Sequence, residues 1–194
     1  LASASSDKSV NVYSLDSTRL CQTKLQSFRG HTESVDQLAW HPSDNDILAT
    51  VGADGAVRLW DCRSKKMPGT AQLKGENINI AWSPDARTIA VGNKADLITW
   101  LDVRSGLSQI QSEQFNFEIN EFAWKPSGDV FLLATGLDSI LVYRYCLFAR
   151  FRKKTRSYLS LLLDYAVNLT WFKKTVKAIL LSGWRLVIAT TGDR

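Results

Sequence analysis

The chain is poor in the residues that build reactive or cross-linked sites. Its three cysteines, Cys21, Cys62 and Cys146, are scattered and odd in number, and no Cys-X-X-Cys pair occurs. Neither a disulfide framework nor a zinc site is expected, and a reducing compartment, cytosol or nucleus, fits that usage. Histidine is limited to His31 and His41, with no cysteine near them, so no metal site is expected. No Walker loop and no Gly-X-Gly-X-X-Gly follows an apolar run, which removes the usual signs of a nucleotide cofactor. No cofactor of any kind is expected. A stretch of about 18 apolar residues free of charge is also missing, so no membrane-spanning helix is expected.

Acidic residues are scarce in one place only. Residues 1–144 carry 14 Lys/Arg against 17 Asp/Glu, a net of −3, whereas residues 145–194 carry 10 against 2, a net of +8. The overall net of +5 therefore belongs to the last quarter of the chain. A whole-chain argument from basicity to nucleic-acid binding is misplaced.

What the chain has is a repeat. Gly30-His31 is followed by SVDQLAWHP (Ser34–Pro42), an apolar run that Pro42 stops and a polar turn follows. ILATVG (Ile47–Gly52) reads as a second strand, Ala53-Asp54-Gly55 as a hairpin, and AVRLWD (Ala56–Asp61) as a third strand. A weak fourth strand is expected near Thr70–Lys74. The order recurs in NINIAWSPD (Asn77–Asp85), TIAVGN (Thr88–Asn93) and LITWLD (Leu97–Asp102), with Gly75-Glu76 in place of Gly-His and Trp100 near the place of Trp60. It recurs again in INEFAWKPSGD (Ile119–Asp129), FLLATG (Phe131–Gly136) and SILVYR (Ser139–Arg144). Residues Leu1–Asp16 read as the second half of a still earlier unit, with Asp7 matching Asp54 and Tyr13 matching Trp60. Trp40, Trp82 and Trp124 share one strand position and are expected to pack in the core or between units.

Period and motif together mark a WD-type β-propeller repeat. The fold expected is all-β: residues 1–144 form a partial WD-repeat β-propeller of about three to four blades, each an antiparallel four-stranded sheet. The chain opens within a repeat and reads as an arc of a longer propeller, whose end blades would expose sheet faces and edges. Resemblance to WD repeats also implies a role for His31, Thr50, Asp54 and Trp60. In that motif these positions form a buried hydrogen-bond network in which Asp orients His, His meets the hydroxyl, and the hydroxyl meets the indole. A hydrolytic Thr/His/Asp triad is the competing reading, and it fails on burial and on the missing oxyanion-type glycine loop. No catalytic residue is expected.

Within the WD-repeat family, the runs GENINIAWSP…TIAVGNK and QFNFEINEFAW resemble the members that serve as the third subunit of the THO complex. The similarity spans roughly Leu1–Tyr145. It implies a non-enzymatic nuclear scaffold that couples transcription and mRNA processing to mRNA export, with protein subunits as partners and indirect or weak RNA association. No membrane and no small-molecule substrate is implied. The alternative is a WD-repeat adaptor in another nuclear or cytosolic complex, such as a ubiquitin ligase substrate receptor.

After Tyr145 the repeat pattern stops. Residues 145–194 form a basic tail, helical or unstructured, with a possible basic patch at Arg150, Arg152, Lys153, Lys154 and Arg156. Three readings stay open for it: sequence carried over by intron read-through or a frameshift, a basic amphipathic segment lying on RNA or a membrane surface, or a divergent helix capping the arc.

Overall fold

The structure, a computed structural model, describes residues 1–16, 21–128, 130–136 and 139–144. Fourteen strands occur among them, and no helix. They are β1 (Ala2–Ala4), β2 (Ser9–Asp16), β3 (Cys21–Arg29), β4 (Val35–Trp40), β5 (Ile47–Gly52), β6 (Ala56–Asp61) and β7 (Lys66–Gln72). The second half holds β8 (Asn77–Trp82), β9 (Thr88–Asn93), β10 (Leu97–Asp102), β11 (Ser108–Gln114), β12 (Ile119–Trp124), β13 (Val130–Thr135) and β14 (Ser139–Arg144).

Each sheet is an antiparallel meander of sequential neighbours. The first is β1-β2-β3, the second β4-β5-β6-β7, the third β8-β9-β10-β11 and the fourth β12-β13-β14. Short polar turns make this order natural, because antiparallel strands joined by a hairpin need no crossover. The middle strands β5 and β9 are buried almost throughout. They read as continuous apolar runs because a neighbouring sheet covers each face. The outer strands β7 and β11 are largely exposed and polar.

The core lies between the sheets. Phe28, Val10 and Val12 of the first sheet pack against Trp60, Leu48 and Val35 of the second. Val51, Val57 and Leu59 of the second pack against Ile80, Trp82, Ile89 and Leu101 of the third. Ile98 and Trp100 of the third meet Phe122, Trp124, Phe131 and Leu133 of the fourth. Alternation along β6 and β10 explains this: with a period of two, one face of each strand serves the preceding sheet and the other the following one.

Two placements differ from the sequence expectation. The fourth strand of the second sheet runs over Lys66–Gln72, not Thr70–Lys74. It is the outermost strand of its sheet, and Pro68 is tolerated there because one side of the strand has no ladder to join. Trp100 does not take the place of Trp60. Trp60 pairs with Leu48, whereas Trp100 pairs with Ala90, as Leu59 pairs with Ala49. That one-residue offset turns Trp100 to the opposite sheet face, against Phe131 at 5.8 Å. Leu101 takes the position of Trp60.

The innermost strands β4, β8 and β12 carry an irregularity at one shared position, between Val35 and Gln37, Asn77 and Asn79, and Ile119 and Glu121. Such a bulge adds one residue and re-aims the strand. A matching bond anchors it each time: the N–H groups of Ala53, Lys94 and Gly136 donate to the carbonyls of Ser34, Glu76 and Glu118.

Candidate functional site

The second sheet brings His31, Thr50, Asp54 and Trp60 together from four segments: the loop after β3, strand β5, the β5–β6 hairpin and strand β6. The hairpin places Asp54 because Gly55 takes a left-handed conformation, φ 72°, which glycine adopts without a Cβ penalty. Trp60 Nε1 donates to Thr50 Oγ1 at 2.8 Å. Thr50 Oγ1 lies 2.8 Å from His31 Nε2, and His31 Nδ1 lies 3.0 Å from Asp54 Oδ1. The backbone N–H groups of Thr32 and Ala56 also donate to Asp54, at 2.9 and 3.0 Å.

The charges follow from these bonds. Burial pushes the His31 pKa down, and its bond to Asp54 only partly opposes that. Burial pushes the Asp54 carboxyl up, but the donors Thr32, His31 and Ala56 outweigh it, and the net shift is downward. A neutral His31 with its proton on Nδ1 satisfies every group in one direction: indole to hydroxyl, hydroxyl to Nε2, Nδ1–H to carboxylate. Thr50 has no exposed surface and His31 only 6%. The hydroxyl is occupied on both sides and out of reach of a substrate, so the chemistry open to this cluster is cohesion.

The third sheet reaches the same end with one residue that motif reading missed. Asn93 accepts the N–H groups of Ala95 and Leu97 at 3.0 Å each and donates Nδ2–H to the Lys74 carbonyl at 2.8 Å. One amide, acceptor and donor at once, covers what Asp54 and His31 share in the second sheet. In the first sheet Asp7 accepts the N–H and hydroxyl of Ser9 at 2.9 and 2.5 Å, which holds its carboxyl below the usual range. Gln72 and Gln114 each donate Nε2–H to a hairpin carbonyl, of Asp54 and of Ala95. The two glutamines share a register, opposite the first residues of β6 and β10, whereas Asn93 takes the place of Gly52 and carries no such signal.

Polar ties also cross between sheets. Gln37 accepts the N–H of Ile80 at 2.5 Å and donates toward Glu121 at 3.5 Å. Asn79 donates to the Asn120 carbonyl at 2.8 Å, and Trp82 Nε1 donates to the Ala39 carbonyl at 3.1 Å. Trp82 also stands edge-on to His41 of the preceding turn, 4.7 Å between centroids. Trp40 is half-buried, while Trp82 and Trp124 are buried at the sheet interfaces. Among the described residues no group of three His, Cys, Asp or Glu is placed to hold a metal ion. Cys62 is a half-buried thiol whose pKa burial pushes up. The sequence-level basic patch at Arg150, Arg152, Lys153, Lys154 and Arg156 lies outside the described residues.

Comparison with known proteins fits this architecture. Residues 22–61 match the WD domain, G-beta repeat. The matched segment takes in most of β3 and all of β4, β5 and β6, so one sequence repeat straddles two sheets and links neighbours covalently. The chain is 43% identical over 145 residues to THO complex subunit 3 of Arabidopsis thaliana, covering 75% of this chain and 46% of that protein. It is 31% identical over 118 residues to WD repeat-containing protein AAC3 of Dictyostelium discoideum, covering 60% of this chain and 24% of that protein. The chain thus spans less than half the length of these relatives. A chain in the crystal structure of the mitotic checkpoint complex superposes with a TM-score of 0.64 at 21% identity, over 75% of this chain and 45% of that one. Four antiparallel sheets packed face to face, a WD repeat bridging two of them and this pattern of similarity make the chain an all-β, WD-repeat β-propeller arc that resembles THO complex subunit 3.

Proposed function

We propose that this chain is a non-enzymatic scaffold in a THO-type nuclear complex, where it helps couple transcription and mRNA processing to mRNA export. The observation that carries the reading is the 43% identity over 145 residues to a THO complex subunit. The geometry supports a scaffold in a physical sense. The cluster that imitates a triad has its hydroxyl fully buried and committed on both sides. Residues 1–144 then act as the propeller arc, and residues 145–194 as a separate basic segment. His31, Thr50, Asp54 and Trp60 hold the second sheet together and do not catalyse.

Contact with RNA is indirect or weak in this reading. Residues 1–144 carry a net of −3, whose averaged field repels phosphate, while residues 145–194 carry +8 and attract it without regard to base sequence. Replacing Arg150, Arg152, Lys153, Lys154 and Arg156 by glutamine in the full chain removes salt-sensitive RNA affinity if the tail supplies it. Purification of the tagged chain from nuclear extract tests the assembly: co-purifying THO subunits support the proposal. Ubiquitin ligase subunits in their place overturn it and make the chain an adaptor of that kind.

A further inference from the structure

Between the outer strands β3 and β7 the first two sheets leave a groove of about 890 Å³. Its floor is Trp60 and Phe28, 5.0 Å apart by ring centroids, with Arg58 beside them. At the equivalent place between the second and third sheets stand the smaller Ala71, Thr99 and Leu101.

The lining is one-signed. Arg29, Arg58 and Lys65 reach the groove and, among the described residues, no Asp or Glu lines it, on an arc whose net charge is −3. Asp54 lies 3.5 Å from Arg58 and offsets part of its charge, and Asp7 feels the charge of Arg29 more weakly; Arg29 and Lys65, both exposed, carry the positive charge at the mouth. Arg58 is held by the Gly30 carbonyl at 2.7 Å, and its Nε is buried with no hydrogen-bond partner. The rim is apolar as well as basic. Leu25 and Met67, 62% and 45% exposed, stand on its two walls. Two large exposed apolar side chains on facing walls of one groove give a ligand apolar surface to cover beside the basic groups.

We propose that this groove docks an extended, acidic peptide segment of a partner protein, with apolar side chains on Leu25 and Met67 and carboxylates on Arg29 and Lys65. β7 has seven residues, so at about 3.3 Å per residue the wall accommodates an extended segment about 23 Å long. Carboxylates suit Arg and Lys rims through charge-assisted bonds. A nucleic acid fits less well, because the rings of Trp60 and Phe28 are buried in the floor and the exposed Leu25 and Met67 offer no flat aromatic surface to stack on. The docking proposal shares with the scaffold reading only the premise that the chain binds proteins, and it names no particular assembly.

The test is a fluorescence-anisotropy titration of the full chain with a fluorescein-labelled peptide of about eight residues alternating glutamate with leucine or phenylalanine. Arg29→Glu/Lys65→Glu and Leu25→Asp/Met67→Asp are the variants. All four side chains are exposed, and circular dichroism checks that the strands are retained. Each pair is expected to weaken binding by at least about tenfold, and a glutamate-only peptide is expected to bind more weakly than the mixed one. Unchanged affinity in both variants overturns the proposal and assigns the peptide to the +8 tail. No measurable binding overturns it too, and leaves the THO-type assembly to its own purification test. Single-stranded RNA binding as tightly as the peptide, and lost in the same variants, replaces the peptide with a polyanion.

Discussion

Thr50→Val removes one hydroxyl from the centre of the second sheet and changes the side-chain volume little. Thr50 is fully buried, and its hydroxyl serves both Trp60 Nε1 and His31 Nε2 at 2.8 Å. Valine leaves two buried polar groups without partners, at about 1–3 kcal/mol each. Its extra apolar methyl in a buried strand returns about 1 kcal/mol. The net expected loss is about 1–5 kcal/mol, centred near 3, which at a urea m-value of about 2 kcal/mol/M moves the unfolding midpoint down by about 0.5–2.5 M. Thr50→Ser is the control. It keeps the hydroxyl and loses one methyl, for about 1 kcal/mol. The order expected from tryptophan-fluorescence unfolding is therefore wild type, then serine, then valine. A hydrophobic account without the network predicts the reverse order for the two variants. Valine as stable as serine, or more stable, refutes the network argument.

Stability is expected to depend on pH through His31. Its folded pKa lies below the ordinary 6.5, so the unfolded chain takes up the proton first. The contribution is complete above pH 6.5 and is lost as pH falls from there toward the folded value; urea midpoints from pH 7.5 to 5 should fall in wild type and flatten in His31→Gln. Asn93→Asp keeps the acceptor for Ala95 and Leu97 but sets a carboxylate against the Lys74 carbonyl, so thermal unfolding should show a loss of about 1–3 kcal/mol at pH 7 that shrinks near pH 4. Gly52→Ala would put a Cβ 2.2 Å from the Ser34 carbonyl oxygen, at the bulge of the second sheet. A loss of about 3 kcal/mol or more is expected in calorimetry, and a near-neutral result would show that the bulge relaxes freely.

The parts of the fold that were legible are those written in local chemistry. The spans of β4, β5, β6, β8 and β10 follow from alternation, a proline or polar stop and a hairpin glycine, all within a few residues. His31, Thr50, Asp54 and Trp60 could be named because one complete repeat carries all four. Local sequence pattern does not mark β3 and β11 as strands. SQIQSEQ has too little apolar alternation to read as a strand by itself, and it pairs because β10 offers it a free ladder. The side chains of Asn93, Gln72 and Gln114 gain their roles from carbonyls 18 or 19 positions away, a relation that sequence spacing does not display.

By itself the sequence determined the repeat, the all-β class, the hairpin turns and the split between a mildly acidic arc and a basic last quarter. These depend on neighbours along the chain, where steric preference and periodic burial act directly. Tertiary structure alone decided which sheet face each tryptophan serves, where the outer strands run, how sheets are tied through Gln37, Asn79 and Trp82, and that a basic, apolar-rimmed groove opens between β3 and β7. Those features depend on the meeting of two sheets, because a one-residue offset reverses a side chain and a surface exists only between partners already in place.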